Sequence, residues 1–192
     1  MSIETMQFAD LSSLPNVRLD IRYATKSNFM QRVIVGYEAP LCWMHRDGFE
    51  KLLRLTGILE AEGLGLVIWD AYRPKRATAD MVAWAEQTGQ EWLLEQGYLV
   101  RDSRHNRGGA VDLSLYDLES GQLLDMGTEW DFFGAESNTF EARGLALENR
   151  LRLRNWMLEV GFLAYDVEWW HFELPNATEL PVWDVPYRLW FD

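Results

Sequence analysis

Between residues 45 and 62 apolar positions recur at three- and four-residue steps, at Phe49, Leu52, Leu53, Thr56 and Leu59, and this spacing predicts one face of an amphipathic helix. Gly63 follows where a helix terminus is expected. Residues 64–69 form a short apolar run with the length and composition of a buried strand, ending in Asp70-Ala71-Tyr72-Arg73-Pro74. Pro74 cannot continue a central strand but suits a first helical position, so a second helix is expected after it, with Ala77, Met81, Trp84 and Ala85 inward. Residues 111–116 alternate Val/Leu/Leu with Asp/Ser/Tyr, the signature of a half-buried strand. A third helix is predicted over 145–160, apolar at Leu147, Leu151, Trp156 and Leu158 and closed by Gly161. Residues 169–174 read as a further strand before a Pro-punctuated tail, and the first forty residues as irregular chain with short extended pieces such as 17–23. Helices and strands mix without a regular βαβ rhythm, and no repeat or linker interrupts them. The expectation is one α+β domain over residues 1–192, a mostly antiparallel sheet flanked by helices.

Composition narrows the function. A length of 192 residues suits one domain with a sizeable core, and 48% hydrophobic with 25% charged residues is the balance of a globular protein. Lys and Arg number 18 against 30 Asp and Glu, a net charge of −12, which repels phosphate backbones and anionic lipid. Neither nucleic acid nor a membrane surface is therefore an expected partner. The single cysteine, Cys42, excludes an internal disulfide and a Cys-rich zinc cluster. Residues 1–14 include Glu4 and Asp10 and lack an apolar targeting core, and no apolar run reaches the roughly 20 residues of a membrane span. A cytoplasmic protein is expected; nothing in the sequence assigns an oligomeric state.

Two of the three histidines stand in unusual company, in Ser103-Arg104-His105-Asn106-Arg107-Gly108-Gly109-Ala110-Val111-Asp112 and in Glu168-Trp169-Trp170-His171. A catalytic zinc takes about three ligands from His and carboxylate and keeps a fourth position open. His105, Asp112 and His171 supply that set, and one carboxylate with two imidazoles suits one zinc ion per chain, with other divalent metals open to the same donors. The Gly108-Gly109 pair allows a tight turn, and Asp112 projects from the strand face opposite Val111, Leu113 and Leu115. Glu168, three residues before His171, stands where a general base could take a proton from metal-bound water, whose pKa the ion lowers to about 7. Taken singly, each of these residues reads as a structural one. Their joint presence, each segment running into a strand that can pair with the other, points to metal chemistry. His45 has no such company and reads as a surface or helix-end residue.

Ser-x-His-x-x-Gly-x-Ala-x-Asp together with Glu-x-Trp-His resembles the bacterial zinc D-alanyl-D-alanine dipeptidases of the VanX type, within a wider group of zinc D,D-peptidases. Ile21-Arg22-Tyr23-Ala24-Thr25 with Asn28-Phe29, Asp70-Ala71-Tyr72-Arg73-Pro74, and Asp125-Met126-Gly127-Thr128-Glu129-Trp130-Asp131 extend the resemblance in order across roughly residues 20–190. It implies the zinc D,D-peptidase (hedgehog-like) fold, hydrolysis of D-Ala-D-Ala to two D-alanines, a zinc ion on His105, Asp112 and His171, and Glu168 as base. Arg73 would face the oxyanion of the tetrahedral intermediate. A small dipeptide with two free ends would find its ammonium held by Asp131 with Tyr23, and its carboxylate by Ser103. Trp130, Trp169 and Trp170 would narrow the cleft to methyl-sized side chains. Ala71 replaces a family glycine, and Arg104, Asn106 and Gly109 replace small hydroxyl residues of the metal loop; none replaces a ligand. Two alternatives share the zinc set: a D,D-carboxypeptidase trimming peptidoglycan stem peptides, and a zinc-stabilised binding module without catalysis.

Overall fold

The computed structural model describes residues 7–188, so the first six residues of the 1–14 stretch, and both ends of the single domain expected over 1–192, lie outside the described residues. Along the chain come β1 (Phe8–Asp10), β2 (Val17–Leu19), β3 (Trp43–His45), α1 (Arg46–Ala61), β4 (Leu64–Asp70), α2 (Lys75–Gln87), α3 (Trp92–Glu95), β5 (Ala110–Asp117), α4 (Gly144–Glu159), β6 (Leu163–Ala164) and β7 (His171–Glu173). Five strands form the main sheet in the order β2-β4-β5-β7-β6; β2 pairs parallel with β4, and the other three pairings are antiparallel. β1 and β3 make a separate antiparallel pair. The architecture is the α+β one expected, with a mostly antiparallel sheet flanked by helices.

β4 is buried at all seven positions, as its unbroken apolar run requires. β5 differs from expectation: it is buried on both faces, not half-buried. Val111, Leu113 and Leu115 face the core, while Asp112 and Ser114 lie beneath an aromatic cover in which Trp130 stacks on Trp69 at 5.6 Å and Trp169 meets Trp69 edge-on at 6.1 Å. The 17–23 stretch is strand only at Val17–Leu19 and then turns into a short 3-10 helix, Arg22–Ala24. The strand predicted over 169–174 shrinks to His171–Glu173, because Glu168, Trp169 and Trp170 form a turn closed by the His171 N–H donating to the Glu168 carbonyl at 3.0 Å.

Two helical faces are rotated from those predicted. α1 buries Gly48, Leu52, Leu55, Thr56 and Leu59, leaving Phe49 half-buried and Leu53 exposed. α4 buries Ala146, Asn149, Arg150, Leu153 and Met157, so Leu147, Leu151 and Trp156 are half-buried and Leu158 is exposed. The reason is Arg150, which turns inward to donate to the Met126, Glu136 and Asn138 carbonyls at 2.6, 2.9 and 2.7 Å, while Asn149 donates to the Asp125 carbonyl at 2.9 Å. A polar pair thus occupies positions that an apolar pattern cannot reveal. His45 sits at the end of α1, as expected, but is buried rather than on the surface, its Nδ1 accepting from the Asp47 N–H at 3.3 Å.

Candidate active site

Asp112 and His171 are directly opposed partners of the β5–β7 pairing, and Asp70 faces Asp112 across β4–β5 at an irregularity in the ladder. Opposed residues on an antiparallel pair project side by side. His105 joins them from a 3-10 turn, Arg104–Arg107, whose exit needs Gly108 in the left-handed region at φ 65; a Cβ there would lie 2.5 Å from the Phe8 ring. The turn is tied down by the Arg73 N–H donating to the His105 carbonyl at 2.9 Å and by Asn106 donating to the Arg73 carbonyl and to Thr78.

The outcome is a buried triangle of three donor atoms. His171 Nδ1 lies 2.9 Å from Asp112 Oδ1, His105 Nε2 lies 3.3 Å from that oxygen, and the two ring nitrogens are 3.1 Å apart. Tetrahedral bonds of about 2.0–2.1 Å would set such atoms about 3.3–3.4 Å apart, so the triangle matches the footprint of one small cation. The other nitrogen of each ring is spoken for. His105 Nδ1 donates to the Ala71 carbonyl at 2.6 Å, and His171 Nε2 to Glu173 at 3.1 Å. Such outer acceptors fix which nitrogen faces a metal. The second oxygen of Asp112 accepts from Trp130 Nε1 at 3.4 Å. Burial opposes ionisation of Asp112, but His105 and His171 hold it well below the usual carboxylate range. Burial likewise opposes charge on His171, yet its bonds to Asp112 and Glu173 lift its pKa to about 10. The residues present fit a divalent cation, which would take the place of that proton.

The triangle opens into a cavity of about 240 Å³, small beside the roughly 300–1,000 Å³ of sites for drug-sized ligands. All eight residues singled out from the sequence, Tyr23, Arg73, Ser103, His105, Asp112, Asp131, Glu168 and His171, line this one cleft. Glu168 sits in the turn before β7; burial, opposed by His171 and reinforced by Asp112, pushes its pKa up to about 8. Arg73 is buried, and one oxygen of Asp70, Oδ2, lies 2.9 Å from its Nε and 2.8 Å from its Nη2, which leaves Nη1 free of Asp70. Asp131 takes left-handed backbone, φ 59, and accepts from the Tyr23 hydroxyl at 2.9 Å; burial and Asp112 raise its pKa to about 8 against that bond. Ser103 is nearly inaccessible, its Oγ accepting from the His105 N–H at 3.2 Å.

Of the three tryptophans expected to narrow the cleft, only Trp170 lines it. Trp130 and Trp169 stand behind the wall as part of the cover over β5, and the apolar lining comes instead from Tyr98, Leu99, Phe133 and Tyr165. Sequence reasoning also passed over Asp70 and Glu173. Both carried a usable signal: Asp70 stands three residues before Arg73, and Glu173 shares a strand face with His171.

A family model described as D-ala-D-ala dipeptidase matches residues 4–188. The chain is 37% identical over 174 residues to a D-alanyl-D-alanine dipeptidase of Enterococcus faecium, covering 82% of this chain and 86% of that one. It is 34% identical over 182 residues to the protein of that name from Escherichia coli K12, covering 93% and 90%. A third, from Streptomyces coelicolor, is 34% identical over 187 residues, covering 88% and 92%.

Proposed function

The chain belongs to the peptidase family of D-Ala-D-Ala dipeptidases and is a metallopeptidase, and from that premise we propose that it hydrolyses D-Ala-D-Ala to two D-alanines with one zinc ion held by His105, Asp112 and His171. The observation that carries the reading is the convergence, in one small cleft, of the donor triangle with Glu168 and with groups suited to a free ammonium. Two imidazoles and a carboxylate match the borderline preference of zinc. When bound, zinc supplies a Lewis acid for the scissile carbonyl and acidifies water to a pKa of about 7.

The chain's own residues do the rest. Glu168 is the base: it takes the proton of the attacking water as oxygen adds to the peptide carbonyl carbon, then delivers that proton to the departing amine nitrogen as the C–N bond breaks. Its burial makes it basic enough for the first transfer, and a dication held by His105, Asp112 and His171 would favour its ionised form. Arg73, held rigid by Asp70, presents Nη1 to the oxyanion. A donor so fixed needs no reorganisation during the reaction, and such donors are worth about 3–4 kcal/mol. Asp131, with Tyr23 behind it, receives the substrate ammonium. An amide in that place would leave the carboxylate unpaired, which rejects longer peptides. Ser103 keeps its hydroxyl proton as a donor toward the carboxylate end.

The proposed unit is a single domain, supported by one continuous core reaching from Phe8 to Tyr187. Among the described residues no helix is long and apolar enough to cross a membrane. The proposed compartment is the cytoplasm, in keeping with the lone buried Cys42. The test is direct: purified protein is incubated with D-Ala-D-Ala, with and without a chelator, and free D-alanine is measured. Release that stops with the chelator and returns with zinc is expected. No release from zinc-loaded protein, or release indifferent to the chelator, overturns the reading.

A further inference from the structure

Among the described residues, one buried side-chain nitrogen or oxygen has no hydrogen-bond partner: Nε of Arg104. Buried donors are nearly always satisfied, so an orphan calls for an explanation. Arg104 lines the cleft between Ser103 and His105, and its side chain is 36% exposed. Among the described residues, two arginines and no lysine line this cleft. The other, Arg73, has two of its three nitrogens gripped by Asp70. Arg104 is held far more loosely. It makes one hydrogen bond, from Nη1 to the Asp102 carbonyl at 3.2 Å. Its nearest carboxylate oxygen, Oε2 of Glu173, is 3.7 Å from Nε, beyond hydrogen-bond reach, and the other oxygen of Glu173 is committed to His171.

Building on the dipeptidase reading, we infer that Arg104 is the cationic anchor for the substrate's C-terminal carboxylate. A dipeptide brings one positive and one negative end into this small cleft, and each charge needs a partner there. Asp131 and Tyr23 serve the ammonium. Ser103, the residue expected at the opposite end, offers one neutral donor, its single O–H, while its oxygen caps the Arg104–Arg107 turn. A guanidinium one residue away supplies the charge and a planar fork of donors matched to a carboxylate. Glu173 keeps that fork in place at ion-pair distance without occupying it.

The test compares wild type with Arg104→Gln and Arg104→Lys on D-Ala-D-Ala and on its C-terminal amide, with zinc content measured in each protein. Wild type should favour the free acid strongly. Arg104→Gln should raise KM for the acid about 10- to 100-fold with kcat changed less than about threefold, the loss expected for one charged hydrogen-bonded contact. It should also process acid and amide at similar kcat/KM. Arg104→Lys, which keeps the charge and loses the fork, should fall between. Full zinc occupancy is expected in all three. An Arg104→Gln protein that keeps both its KM and its preference for the acid overturns the anchor while leaving the dipeptidase reading intact. One that loses zinc assigns Arg104 to positioning His171 through Glu173 and overturns it equally. A wild type that cleaves neither compound overturns the function and the anchor together.

Discussion

The two halves of the cleft are built by different means. The metal half rests on strand pairing: Asp112 and His171 are locked face to face by the β5–β7 ladder, and backbone bonds hold His105 against the segment after β4. The other half rests on α4. Arg150 and Asn149 hold the Asp125, Met126, Glu136 and Asn138 carbonyls, and so the loop that carries Trp130, Asp131 and Phe133. Through that loop they also hold the turn bearing Glu168: Ser137 Oγ donates to the Val167 carbonyl at 2.9 Å, the Trp169 N–H to the Ser137 carbonyl at 3.0 Å, and Trp169 Nε1 to Thr128 at 2.8 Å. Asp112 and His171 are thus spaced by a ladder that tolerates little error, whereas the proposed ammonium site and base hang on a few side-chain bonds to irregular backbone. The two halves should be separable.

The largest effect should fall on the base, where the halves meet. Glu168→Gln is expected to lower kcat about 10²- to 10⁴-fold with zinc retained, while His171→Ala should lose zinc and activity together; metal analysis beside initial rates distinguishes them. Next comes Arg150→Met. Stranding several buried carbonyls should cost about 2–4 kcal/mol in denaturant unfolding, and the residual activity should show a raised KM at unchanged zinc affinity. A variant that loses zinc instead would show the halves to be one unit. Asp131→Asn should raise KM for D-Ala-D-Ala about 10- to 100-fold and leave zinc binding intact. It should also flatten the pH dependence of stability in the metal-free protein. A carboxyl raised to about 8 in the folded chain adds stability only below its unfolded value near 4, and that stability drains away as pH climbs from about 4 to about 8. The asparagine cannot ionise, so its melting temperature should exceed wild type's most at pH 8. The smallest effect concerns zinc affinity itself. With His171 raised to about 10 in the metal-free site, binding must expel its proton at neutral pH, so affinity should rise about tenfold per pH unit between 6 and 8. Calorimetry in buffers of different ionisation enthalpy reads the released proton.

Legibility in the sequence followed the same divide. Period-two alternation around Asp112, and a histidine just inside the following strand, marked the metal half, because ligand chemistry and strand periodicity are local properties. α4 misled for the converse reason: its inward face carries Asn149 and Arg150, so the apolar residues that define a face by pattern lie at its flanks. Trp169 and Trp170 read as strand from sequence although they belong to the turn after Glu168, because three aromatic residues and a histidine look alike in either state.

By itself, then, the sequence determined the fold class, the candidate donor set with the proposed base, and the family, since residue type and short-range spacing carry all three. Tertiary structure alone decided that His105 meets His171 across 66 positions and Tyr23 meets Asp131 across 108, that Asp70 stiffens Arg73, and that Arg104 is left with an unanswered donor. Those outcomes depend on strand register and on where loops dock, which are settled by the packing of residues far apart in the chain and not by the character of any one segment.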